Sequence, residues 1–178
     1  MGKTIEERVQ RLEDIIEIAN LKARYLDSAD GGWNRISHDA SLVTPLVSDD
    51  FAWNGSLFGA FEGIEGAAAL WRQCRANLPF AYHVITNPLI DVTGDEGHGE
   101  WHVLWFATDK QGTELWAMAV YQDRFIRTAD GWKIQSVSVS NAFSGPRAKG
   151  WAASMERSDS MAGAIKDYYG ESPLERPF

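Results

Sequence analysis

Residues 83–108 read HVITNPLIDVTGDEGHGEWHVLWFAT, two runs with apolar residues at alternate positions, separated by Gly94-Asp95. Period-two alternation marks a strand with one buried face, and Gly and Asp tolerate the positive φ of a hairpin turn. The pattern predicts strands over residues 84–92 and 99–108. It continues over 114–127 and 132–143, with a second turn at Asp130-Gly131. Four consecutive strands with short connections pair as an antiparallel meander.

The chain before the meander has helical spacing instead. Thr4 with Glu7 three residues on forms a capping box, and Val9, Leu12, Ile16, Ala19, Ala23 and Leu26 follow as the apolar stripe of a long helix. That helix is expected to end at Asp30-Gly31-Gly32. After a short segment over 41–47, interrupted by Pro45, Asp50-Phe51-Ala52-Trp53 reads as a strand and residues 64–77 as an Ala-rich helix. Helices followed by a meander define an α+β domain, one curved antiparallel sheet wrapped over its helices and enclosing a cavity. This domain is assigned to residues 1–145. Residues 146–178, broken by Gly145-Pro146 and Pro173, form an extension that is a lid, an arm to a neighbour or a frayed tail.

Composition narrows the function. A net charge of −8 with no basic run argues against nucleic acid as a partner. A single cysteine, Cys74, allows neither an intrachain disulfide nor a cysteine-based zinc cluster, which suits a reducing cytoplasm. The polar start and the lack of a long apolar window point away from secretion and membranes. No glycine-rich nucleotide loop and no close pair of metal ligands is present, so neither cofactor nor metal is expected.

The order of local motifs resembles the SnoaL-like branch of the nuclear transport factor 2-like superfamily. The matching pieces span residues 12–143: Arg24-Tyr25 followed by Asp30 and Trp33, then Phe51-Ala52-Trp53, Phe61-Glu62-Gly63, His83 with Asn87-Pro88, and Asp130-Gly131-Trp132-Lys133-Ile134. The resemblance implies a cone-shaped α+β barrel of the cystatin-like kind. Within that superfamily, the spacing from Tyr25 to Asp30 to His83 is similar to bile acid 7α-dehydratases, scytalone dehydratase and a related dehydrochlorinase. It implies an Asp30–His83 dyad, with His102 and Asn141 at positions similar to scytalone dehydratase. Related dehydratases form trimers through the outer sheet face, so a homotrimer is expected.

The residue types suit that chemistry. An imidazole with an ordinary pKa near 6.5 can take a proton from carbon and return one to departing hydroxide. His83 is the candidate shuttle, and Asp30 the group that fixes its tautomer and stabilises its cation. Asp27, almost a full turn earlier, is the competing carboxylate. Tyr25, His102 and Asn141 are candidate donors to a developing oxyanion. Trp53 and Phe143 are candidate walls for a hydrophobic polycyclic substrate such as a hydroxysteroid or bile acid. The competing readings are a ketosteroid isomerase or polyketide cyclase, and a ligand-binding module without catalysis. His38 and His98, among polar or glycine neighbours, are expected to be solvated.

Overall fold

The computed structural model describes residues 4–33, 38–55 and 57–149. Their elements are α1 (Ile5–Ala29), α2 (Ala40–Val43), a 3-10 turn (Thr44–Leu46), β1 (Val47–Gly55), β2 (Gly59–Glu62), α3 (Gly63–Asn77), β3 (Phe80–Thr93), β4 (Glu96–Thr108), β5 (Glu114–Thr128) and β6 (Gly131–Pro146). A second 3-10 turn, Arg147–Lys149, follows β6. The extension assigned to residues 146–178 begins at the last residue of β6, and most of it lies outside the described residues.

The six strands form one sheet in the order β2-β1-β6-β5-β4-β3, curved around the helices to give an α+β cone. The meander from β3 to β6 is antiparallel throughout. The sheet as a whole is mixed, correcting the antiparallel expectation, because β1 runs parallel to β6. Helix α3 carries the chain from the β1–β2 hairpin to the far edge. The four-strand meander then returns β6 to lie beside β1 in the same direction.

The capping box at the start of α1 is formed. The Glu7 backbone N–H donates to the Thr4 hydroxyl at 3.2 Å, and the Thr4 N–H donates to the Glu7 carboxylate at 2.8 Å. The buried face of α1 differs from the apolar stripe in the sequence. Val9, Leu12 and Ile16 are exposed, whereas Asp14, Ile18, Leu21, Lys22, Tyr25 and Leu26 pack inward. Two polar groups on that inner face are held by partners. Asp14 accepts from Arg127 at 2.7 Å and from the Trp132 indole at 3.3 Å, while Lys22 lies 2.6 Å from Asp123.

The exit from α1 is set by backbone. The Asp30 N–H donates to the Leu26 carbonyl at 2.9 Å, and Gly31 then exchanges two bonds with Ala81 of β3, at 3.1 and 3.0 Å. Gly32 has φ +86°, and a Cβ there would lie 2.2 Å from the Pro79 carbonyl oxygen. Both the left-handed backbone and the rigid neighbour exclude a side chain. Gly32→Ala is expected to lower unfolding free energy by more than about 2 kcal/mol, measured by urea denaturation; a loss within error would show that this junction relaxes freely.

Candidate active site

The pairing of Gly31 with Ala81 brings Asp30 against His83, two residues further along β3. One oxygen of Asp30, Oδ1, accepts from His83 Nδ1 at 2.6 Å and from the His83 backbone N–H at 3.0 Å. A carboxylate at Nδ1 selects the tautomer with its proton on that nitrogen, and leaves Nε2 as the ring atom with a lone pair. Asp30 is 3% exposed, so the pair is shielded from bulk water. Asp27 is exposed and takes no part. The C-terminal turn of α1 is tied down by α3, since the Trp71 indole donates to the Ser28 carbonyl at 2.6 Å.

His83 stands where two lobes of a cavity meet. Trp53, Phe58, His83, Trp105 and Tyr121 border both lobes. The first, about 50 Å³, reaches inward past Tyr25, His38, Trp71 and Cys74. The second, about 40 Å³, runs along β5 and β6 to Asn141. Apolar walls dominate both, the setting in which a few polar groups have the greatest effect.

The two phenols and the thiol in the walls stay protonated. Burial pushes the Tyr25 hydroxyl well above its ordinary range, with Tyr121 and Asp123 adding to the effect, and the Trp53 side chain hydrogen-bonds to it. Burial also raises Tyr121. The Cys74 thiol is pushed up to about 12 by burial, which leaves no thiolate for covalent chemistry near neutral pH. Tyr25, Trp53 and Asn141, three of the candidates from the sequence, thus line the cavity with His83 and its partner Asp30.

Two expected site residues do not. His102 lies on the outer face of β4, exposed, opposite Thr86, with Nδ1 3.3 Å from the Asn87 amide nitrogen. Strand alternation decides this, because Trp101, Val103 and Trp105 occupy the inner face on either side. Phe143 fails through an irregularity in β6. Asn141 pairs with Ala119, but Phe143 pairs with Met118, so the extra residue between them turns Phe143 outward onto Trp116, with ring centroids 5.0 Å apart.

His38 was missed in the opposite sense. It is 2% exposed rather than solvated, and it lines the first lobe with His83. It lies between α1 and α2, in a stretch of sequence that carries no periodic signal. His98 is exposed, as expected. Among the described residues no group of three or more His, Cys, Asp and Glu side chains is placed to hold a metal ion, and no helix is long and apolar enough to cross a membrane.

Comparison with known proteins agrees with this architecture. The family model described as a SnoaL-like domain matches residues 10–138. An uncharacterized protein of Mycobacterium tuberculosis (strain H37Rv) is 28% identical over 129 residues, covering 71% of this chain and 84% of the relative. Among solved structures, a type 3 hexachlorocyclohexane dehydrochlorinase from Novosphingobium barchaimii superposes with a TM-score of 0.68 at 21% identity, covering 77% of this chain and 92% of its own. A nuclear transport factor 2-like superfamily protein from Salmonella enterica serovar Typhimurium gives a TM-score of 0.65 at 19% identity, covering 72% and 91%. At these identities the two structures establish a shared fold.

Proposed function

The chain belongs to the SnoaL-like domain family, and from that premise we propose that it is a cofactor-independent lyase that removes water from a small hydrophobic cyclic hydroxy-ketone. The observation that carries this reading is the 2.6 Å contact between His83 and Asp30 at the junction of two apolar lobes. A binding module without catalysis has no need to fix one imidazole tautomer inside its cavity. The fold shared with a dehydrochlorinase supports elimination as the reaction class.

In the proposed mechanism His83 Nε2 takes the proton from the carbon next to the ketone, and the C–H electron pair moves into an enolate. Asp30 stabilises the imidazolium without taking a proton. The neutral Tyr121 phenol and the Asn141 amide, both in the cavity wall, donate to the enolate oxygen. Collapse of the enolate restores the carbonyl, forms the carbon–carbon double bond and expels hydroxide from the β carbon. The imidazolium returns its proton to that hydroxide, so one water leaves and His83 is again neutral.

Cavity size bears on the substrate. Lobes of about 50 and 40 Å³ each hold a few waters, at roughly 10–15 Å³ apiece. A one- or two-ring substrate requires modest movement of Phe58 and Trp105, whereas the bile acid or hydroxysteroid version of this reaction requires the walls to part widely. Incubation with hydroxynaphthalenones and with hydroxylated 3-oxo steroids, followed by mass spectrometry, tests both versions. Loss of one water from the smaller ketones is the expected result. Unchanged mass with a shifted double bond would replace the lyase by an isomerase, and no conversion of any ketone would reject both. Tyr82, Val84 and Met118 on the outer sheet face, 37%, 38% and 44% exposed, support the homotrimer as the proposed assembly. The single, half-buried cysteine suits a cytoplasmic setting.

A further inference from the structure

His38 is built in a way that a packing residue does not require. Its backbone is in the left-handed region, with φ +45°, which a non-glycine residue adopts at a cost. Its side chain is nonetheless almost completely buried, and Nδ1 has no hydrogen-bond partner among the described residues. Asp39 holds the backbone immediately after it by capping α2, its carboxylate accepting from the Ser41 N–H at 2.9 Å and the Ser41 hydroxyl at 2.8 Å. A strained backbone and an unsatisfied buried nitrogen in one residue, inside a cavity, are the signs of a group kept for a ligand.

The neighbours in the same lobe are otherwise engaged. Tyr25 is hydrogen-bonded with Trp53, His83 Nδ1 is held by Asp30, and Cys74 is a half-buried neutral thiol. Burial holds the His38 imidazole below its ordinary range, and the nearby His83 adds to this, while Asp30 opposes it. A neutral ring is the useful form here. It either donates to a carbonyl or accepts from a hydroxyl, and it places no positive charge beside the imidazolium that forms on His83.

We propose that His38 Nδ1 is a substrate-recognition group that binds a second oxygen of the ligand, so that the preferred substrates are dioxygenated ring compounds with one oxygen served by the His83 end of the lobe and another by His38. This rests on the reading of the cavity as the site for a small cyclic ketone. It adds a specificity that the Asp30–His83 pair alone does not supply.

Isothermal titration calorimetry with 2-naphthol and with a set of dihydroxynaphthalene isomers tests it without relying on turnover. The full-length chain is expected to bind at least one dihydroxy isomer about tenfold or more tighter than 2-naphthol. His38→Phe should remove that preference while keeping 2-naphthol affinity. His38→Asn, which tolerates a left-handed backbone and places an amide where Nδ1 stood, should keep most of the preference, whereas His38→Gln, which mimics the other ring nitrogen, should not. The Asn and Gln pair decides the matter if the Phe variant fails to fold by circular dichroism. A preference that is absent from the wild type, or unchanged in His38→Phe or in His38→Gln, overturns the role of His38. If binding and ketone dehydration are both intact in that case, the proposed function stands without it; if no naphthol binds, the ligand site and this inference fall together.

Discussion

His83→Ala is expected to reduce dehydration turnover by at least about 10³, the scale of a lost general base that also serves as the acid, while leaving the unfolding midpoint close to that of the wild type. His83 is only partly buried, and its ring lies 6.3 Å from Trp105 in a cavity wall, so its loss opens space without exposing the core. Asp30→Asn tests the partner. The amide preserves shape, but its NH₂ and carbonyl ends no longer guarantee a proton on Nδ1, and the negative charge that steadies the imidazolium is gone. A loss on the order of 10²–10⁴ in kcat is expected by analogy with the aspartate of a catalytic triad. Since the two residues act as one unit, the double variant should be scarcely slower than His83→Ala alone. Full additivity of the two losses, or wild-type turnover in His83→Ala, would show that another group moves the proton.

The resemblance implied this pair, and the elements that carry it were legible because their determinants are local. The Thr4–Glu7 box starts α1, Asp30-Gly31-Gly32 stops it, and period-two alternation begins around His83, so each feature lies within a few residues of its signal. What failed depends on distant parts of the chain. His102 shows no clear inward or outward preference by itself, since its own face of β4 mixes His98 and Glu100 with Leu104 and Phe106. Phe143 continues the inward parity of Val137, Val139 and Asn141 in the sequence, and one extra residue in β6 reverses it. His38 sits in a stretch with no periodicity at all. The inner face of α1 was concealed for a different reason: two of its residues, Asp14 and Lys22, carry charges, and a charged residue in an exposed-looking pattern gives no hint of a buried partner more than a hundred residues away.

Lys22 and Asp123 form the second case in which a single change is expected to have a large effect. Both side chains are fully buried, at an N–O separation of 2.6 Å. The Lys22 ammonium also lies over the rings of Tyr25, Trp101 and Tyr121, at 4.9, 5.3 and 4.3 Å from their centroids, so aromatic faces surround the charge where water would otherwise be. Burial pulls the lysine pKa down and pushes the aspartate up, each opposed by the charge of the other. Removing one partner strands the other in an apolar interior. Lys22→Met or Asp123→Leu is therefore expected to cost about 3–5 kcal/mol in urea denaturation, a large share of the roughly 5–15 kcal/mol that stabilises a typical domain. The double variant Lys22→Met/Asp123→Leu should recover most of that loss, because it removes both desolvated charges together. Equal losses in the single and double variants would mean that packing, not charge pairing, governs the site. Tyr25 and Tyr121 line the cavity beside His83 on their other side, so the recovered double variant also separates stability from function. If it folds like the wild type but its turnover falls, the ion pair acts by holding those two phenols in place behind His83.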